Sequence, residues 1–168
     1  GSFMLPRKYK AEALFDRHGV VRVHDLYEMA ATLTLLSQNR RLAPGGLSVI
    51  GDSGGERGML IDLAADLGVP FAEIGEKTVG VLKRRLFPGL PPENPVDAWG
   101  TGNNYEGIFR ECLTAIAQDP DTAIAAICAE TRTGNTLHEG YGNIARQARA
   151  NSDVPVIMLN NVGAIGDD

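Results

Sequence analysis

The stretch Gly46-Leu-Ser-Val-Ile-Gly-Asp-Ser-Gly-Gly-Glu56 decides how this chain is read. An apolar, β-favouring run ends in a glycine turn, and Leu60, Leu63, Ala64 and Leu67 then fall at i, i+3, i+4 and i+7, one face of a helix. A strand that hands directly into a helix leaves backbone N–H groups without partners at the helix start. Those groups, with the positive end of the helix dipole, suit an anion such as phosphate. Gly54 and Gly55 lack a Cβ, so a ligand can approach the main chain closely. Ser53 reads equally as the N-cap of that helix.

Working outward, Leu26, Met29, Ala30, Leu33 and Leu36 share one face of a helix that runs to about Ser37. Asp25 and Glu28 have the spacing of a capping pair, and His24 competes for the cap. A helix over 9–18 stops at Gly19, and 20–23 reads as a short strand. Downstream, 69–74 reads as a strand, 76–86 as a helix, and 88–92 as a proline-rich connection. A helix at about 104–118 buries Tyr105, Ile108, Phe109, Cys112 and Ile116. The run 123–128 is the type that a parallel sheet buries on both faces. A helix at 136–150, with Leu137, Tyr141, Ile144, Ala145 and Ala148 inward, precedes a last strand at 154–159. Strand and helix alternate, so the expected fold is α/β with a mostly parallel sheet.

Bulk composition narrows the function. The 168 residues suffice for a domain with a full core, and 43% are apolar. A net charge of −5 argues against nucleic-acid binding. No apolar run approaches the roughly 20 residues that span a membrane. No secretory signal is recognised, and Gly1-Ser2-Phe3-Met4 reads as a cloning scar. Cys112 and Cys128 read as buried, reduced thiols of a cytoplasmic protein, and no Cys/His spacing fits a metal site. Gly51-Asp52-Ser53-Gly54-Gly55 also spells the nucleophile segment of trypsin-like proteases. His18 and His24 lie in the wrong context for a triad, and the surroundings are strand-to-helix rather than barrel loop.

Three motifs then fall in order. Gly19-Val-Val-Arg-Val23 precedes a Leu/Met-rich helix, Ser48-Val-Ile-Gly-Asp-Ser-Gly-Gly55 ends a strand, and Asn94-Pro-Val-Asp97 follows a proline-rich loop. Together they resemble the flavodoxin-like C-terminal domain of NDP-forming acyl-CoA synthetases, the superfamily of succinyl-CoA synthetase, over residues 9–159. The resemblance implies a flavodoxin-like open parallel sheet of about five strands with helices on both faces. The chain is thus expected to divide into the scar at 1–4, a helical lead-in at 5–45 and the flavodoxin-like domain at 46–168, one compact domain overall.

The resemblance also implies a chemistry. A carboxylate, CoA and ATP give acyl-CoA, ADP and phosphate through a phosphohistidine, whose phosphate is held by helix N-termini. By position, Ser53, Gly54 and Gly55 would bind phosphate. Asp52, Asn94, Asp97, Glu130 and Arg132 would line the cleft. Asn94 and Asp97 read otherwise as turn chemistry around Pro95, and Glu130 with Arg132 as a solvated pair. Two departures stand out. Asp52 replaces the family's usual Asn, placing a carboxylate at the phosphate site unless it turns away or caps the helix. The family's His-Thr-Gly-Ala-like segment is absent, so no catalytic residue is expected here, and the chain reads as an inactive piece of a longer ligase. CoA and ATP or ADP, with Mg, belong to the full enzyme, and none is expected on this segment alone. Expected partners are the other domains or subunits of the ligase and phosphate, with self-association left open. Competing readings are a flavodoxin- or receiver-like binding module and a non-catalytic regulatory domain of the same fold.

Overall fold

The structure is a computed structural model that describes residues 7–38, 40–130 and 136–160. Contacts divide the chain into two units, Gly1–Asn39 and Arg40–Asp168. The first holds α1 (Arg7–Arg17) and α2 (Leu26–Leu36). Gly19 adopts φ 63° just past α1, a left-handed conformation that suits glycine. Residues 20–23 form no strand, correcting the expectation. Val20 and Val21 stay exposed, and no described strand pairs with them; an isolated strand has nothing to stabilise it. Asp25 caps α2, its Oδ1 accepting from the Glu28 N–H at 2.8 Å. Glu28 Oε2 accepts in return from the His24 N–H at 2.6 Å. The reciprocal cap is therefore offset by one residue from the usual box. That hydrogen bond from the His24 backbone is the main reason the Glu28 carboxyl titrates below its ordinary value.

The second unit runs β1 (Gly46–Gly51), α3 (Gly54–Leu67), α4 (Glu76–Arg85), β2 (Val96–Asp97), α5 (Tyr105–Ala117), β3 (Thr122–Ala129), α6 (Thr136–Ala150) and β4 (Val156–Asn160). The strands form one parallel sheet in the order β2-β1-β3-β4. Side chains alternate across it. Ile50, Ala125 and Ile127 face the large core with Leu82, Phe109, Leu113, Ile116, Tyr141 and Ile144 from α4, α5 and α6. Val49, Ala126 and Cys128 face the other side, beside Leu60 of α3. Helices thus cover both faces, as expected. The two coverings differ greatly. α3 buries Ala64, while Leu63 and Leu67 are 51% and 76% exposed.

The described sheet has four strands where about five were expected. The segment 69–74 contributes a single bridge, Leu47 to Phe71, rather than a strand. Asn94 explains the interruption. Its Nδ2 donates to Leu47 O (2.8 Å) and Ala72 O (3.1 Å), and its Oδ1 accepts from the Val49 N–H at 2.9 Å. A side-chain amide thereby occupies the ladder position that a continuing strand would need. Immediately beyond it, β2 pairs with β1 through Ile50 and Gly51. β2 lies where the sequence suggests turn chemistry around Pro95.

Candidate functional site

The parallel register gathers the sequence-predicted residues at one end of the sheet. Gly51 stands opposite Asp97 on one side and Cys128 on the other. The segments leaving the carboxyl ends of β1, β2 and β3 therefore start side by side, the usual place for ligands in open α/β sheets. Asp52, Ser53, Gly54, Gly55, Asp97 and Glu130 all lie at this end. Arg132 lies outside the described residues. Asn94 does not line the end with its side chain, which is committed to Leu47, Val49 and Ala72.

Ser53 is the N-cap of α3, in extended conformation, and its Oγ accepts from the Glu56 N–H at 3.4 Å. Gly54 and Gly55 are exposed, and as the first helical residues their N–H groups have no acceptor within the helix. The carboxylate of Asp52 does not cap α3. Its Oδ2 accepts from the Tyr141 hydroxyl at 2.8 Å, toward α6. Tyr141 is fully buried, and its ring packs on Phe109 at 5.1 Å and Tyr105 at 5.7 Å between centroids. Burial, then the hydrogen bond from its O–H to Asp52 and that carboxylate's charge, push the phenol's pKa well above its usual value.

Asp97 approaches α3 from the other flank. Its Oδ1 accepts from the Trp99 N–H at 3.2 Å. Its Oδ2 lies 3.1 Å from where a Cβ on residue 54 would stand, so Gly54 leaves the room that this carboxylate uses. Arg57, one turn into α3, ties down the loop that leads to β2, its Nε donating to Pro95 O at 2.6 Å and its Nη2 to Glu93 at 2.5 Å. The crevice lined by Val49, Ser53, Glu56, Arg57, Pro95 and Cys128 is about 10 Å³, room for one water at most. It is far too small to seat CoA or a nucleotide. Cys128 at its wall has a raised pKa, from burial first and then the charges of Glu56 and Asp52. Among the described residues, no group of three or more His, Cys, Asp or Glu assembles for a metal. No described helix is long and apolar enough to cross a membrane.

Sequence reading placed Tyr141 only in the core stripe of its helix and did not single out Arg57. A tyrosine among aliphatic residues was the available signal, since a buried hydroxyl requires a partner.

No family model matches the chain. A trans-feruloyl-CoA synthase from an unknown prokaryotic organism is 29% identical over 103 residues, covering 61% of this chain. The alpha subunit of the ADP-forming acetate–CoA ligase II of Pyrococcus furiosus is 26% identical over 160 residues, covering 93% of this chain. The chain is homologous to CoA ligases. It spans 15% and 34% of the lengths of these two relatives. Solved structures share the fold. A Pyrococcus horikoshii protein superposes with a TM-score of 0.77 at 24% identity, over 92% of this chain and 36% of its own. A dinucleotide-forming acetyl-coenzyme A synthetase 1 of Ca. Korarchaeum cryptofilum, solved with phosphate and ADP, gives 0.72 at 17% identity, over 95% of this chain and 34% of its own. The sequence-stretch resemblance and the homology thus point to the same group of enzymes, and the α/β fold agrees with both.

Proposed function

We propose that this chain is the flavodoxin-like domain of an NDP-forming acyl-CoA synthetase and offers the start of α3 to a phosphoryl group. The observation that carries the reading is the orientation of Asp52. Its carboxylate is bonded to Tyr141, and Gly54 and Gly55 are exposed at the carboxyl end of β1. Fixed N–H donors at a helix start stabilise phosphoryl oxygens without reorganising. Homology to CoA ligases supports the same reading. In this proposal the residues 5–45 lead into the domain, and Asp97 and Glu130 rim the cleft. The phosphohistidine is supplied from elsewhere in the enzyme. CoA and nucleotide, with Mg, bind on other domains or subunits in this proposal, and the crevice beside α3 itself has no room for them. The acid–CoA ligation then proceeds in the cytoplasm.

Titrating inorganic phosphate into the labelled chain is expected to shift the amides of Ser53, Gly54 and Gly55 first. Shifts confined to other residues, or none, would end the cradle reading. The isolated chain is expected to show no CoA-dependent ATP turnover with any carboxylate. A second reading, an assembly domain without phosphate chemistry, is favoured by the acidic surroundings of the helix start, where Asp52, Glu56 and Asp97 all lie. The same titration separates the two.

A further inference from the structure

Tyr141 is fully buried in α6, far along the chain from the β1–α3 turn. Phe109 and Tyr105 of α5 pack against its ring, with Trp99 tilted against Tyr105 at 5.9 Å. Gly140 makes that packing feasible, since a Cβ there would stand 2.3 Å from the Tyr105 hydroxyl. The ring therefore has little freedom, and its hydroxyl meets Asp52 Oδ2 at 2.8 Å. A buried O–H needs an acceptor, and a carboxylate is a strong one. The raised titration of the phenol keeps it protonated, hence a donor, across the ordinary pH range.

We infer that Tyr141 is a positioning residue that holds the Asp52 carboxylate on the α6 side of β1 and away from the first turn of α3. This inference rests on the phosphate reading of that turn for its consequence, but the pinning itself is independent of any ligand. An aspartate immediately before an N-cap serine has an alternative nearby. Released, it can turn its oxygens toward the unpartnered N–H groups of the helix start, where it would compete with an anion. Tyr141 also faces Tyr105, and Glu56 adds its charge nearby. The aromatic packing fixes the hydroxyl, and the hydroxyl fixes the charge.

The test compares wild type, Tyr141→Phe, Asp52→Asn, Asp52→Ala and the two double variants of the full chain. Phenylalanine keeps the ring and removes only the donor. Without ligand, Tyr141→Phe is expected to change the Asp52 β-methylene couplings and to move the amide resonances of Ser53, Gly54, Gly55 and Glu56. In an Asp52→Ala background, which leaves no acceptor at residue 52, the same substitution should leave those four amides nearly in place. Unchanged couplings and amides in Tyr141→Phe overturn the inference. With inorganic phosphate as the probe, Tyr141→Phe should weaken binding about fivefold, the effect of one nearby unit charge in water. That loss should vanish in the Asp52→Asn background. Equal phosphate affinity in wild type and Tyr141→Phe overturns the inference while leaving the cradle standing. A wild type that binds no phosphate sinks the cradle, and the couplings and amide shifts still decide Tyr141. Thermal denaturation of each variant separates local release from loss of fold.

Discussion

Asn94 is bonded to Val49 as a strand residue would be, yet through its side chain: Oδ1 accepts the Val49 N–H at 2.9 Å. The same amide donates to Leu47 O and Ala72 O, so one side chain joins β1, the 69–74 segment and the approach to β2. Replacing Asn94 by Ala removes three hydrogen bonds and takes the side-chain partner from the Val49 N–H and Ala72 O, while Leu47 O keeps the Ala72 N–H. We expect a loss of about 2–4 kcal/mol in urea unfolding at neutral pH. A loss below about 0.5 kcal/mol, the range of an ordinary surface change, would show that water or β2 takes over these bonds.

Asp97 bears on the proposed phosphate cradle. Its Oδ2 sits against Gly54, where its negative charge opposes an incoming anion. Asp97→Asn should keep the acceptor for the Trp99 N–H and remove the charge. Phosphate affinity is expected to rise about fivefold, read from the Gly54 and Gly55 amides. No change would place the anion elsewhere.

Cys112 supplies a pH signature. Burial raises its thiol from 9.0 to about 12. The folded state therefore binds this proton more tightly than the unfolded chain. Its contribution to stability is complete below pH 9 and is lost as pH rises toward 12. Unfolding free energy should fall across that window, and less steeply in Cys112→Ala after allowing for the smaller core. The native thiol should resist alkylation at pH 8, having roughly a thousandth of the thiolate of an ordinary cysteine. Denaturant should restore reactivity, and rapid native alkylation would contradict the burial.

The two faces of the sheet should respond differently to mutation. Phe109 is wholly buried among α5, α6 and the sheet, so Phe109→Ala should cost about 3–5 kcal/mol. Leu67 is 76% exposed on α3, so Leu67→Lys should stay within about 0.5 kcal/mol. Thermal melts of the two variants decide the matter. A large loss for Leu67→Lys would mean that this flank is covered in solution.

Most elements were legible because periodicity reports burial directly. The apolar run at 123–128 became an inner strand, Thr122–Ala129, and the inward positions of α5 and α6 reached the core as their spacing required. The start of α3 and its Ser53 cap were readable from residue type. Residues 69–74 carry β-favouring side chains, but pairing depends on what lies alongside, and Asn94 supplies that from a distance in sequence. β2 is two residues long, too short for any pattern. At the candidate site, spacing identified the glycines and Asp52 but not where Asp52 points. That direction is set by Tyr141, whose partner is brought near only by the fold.

The interrupted flank of β1 has a consequence for behaviour at high concentration. Leu47, Val49 and Gly51 are each engaged there by a different piece of chain: Pro70 and Ala72, the Asn94 side chain, and Ala98. A foreign extended peptide seeking to zip onto this border meets no continuous row of vacant amides. It would have to evict three unrelated tenants, so this margin resists the edge-to-edge growth that seeds fibrils.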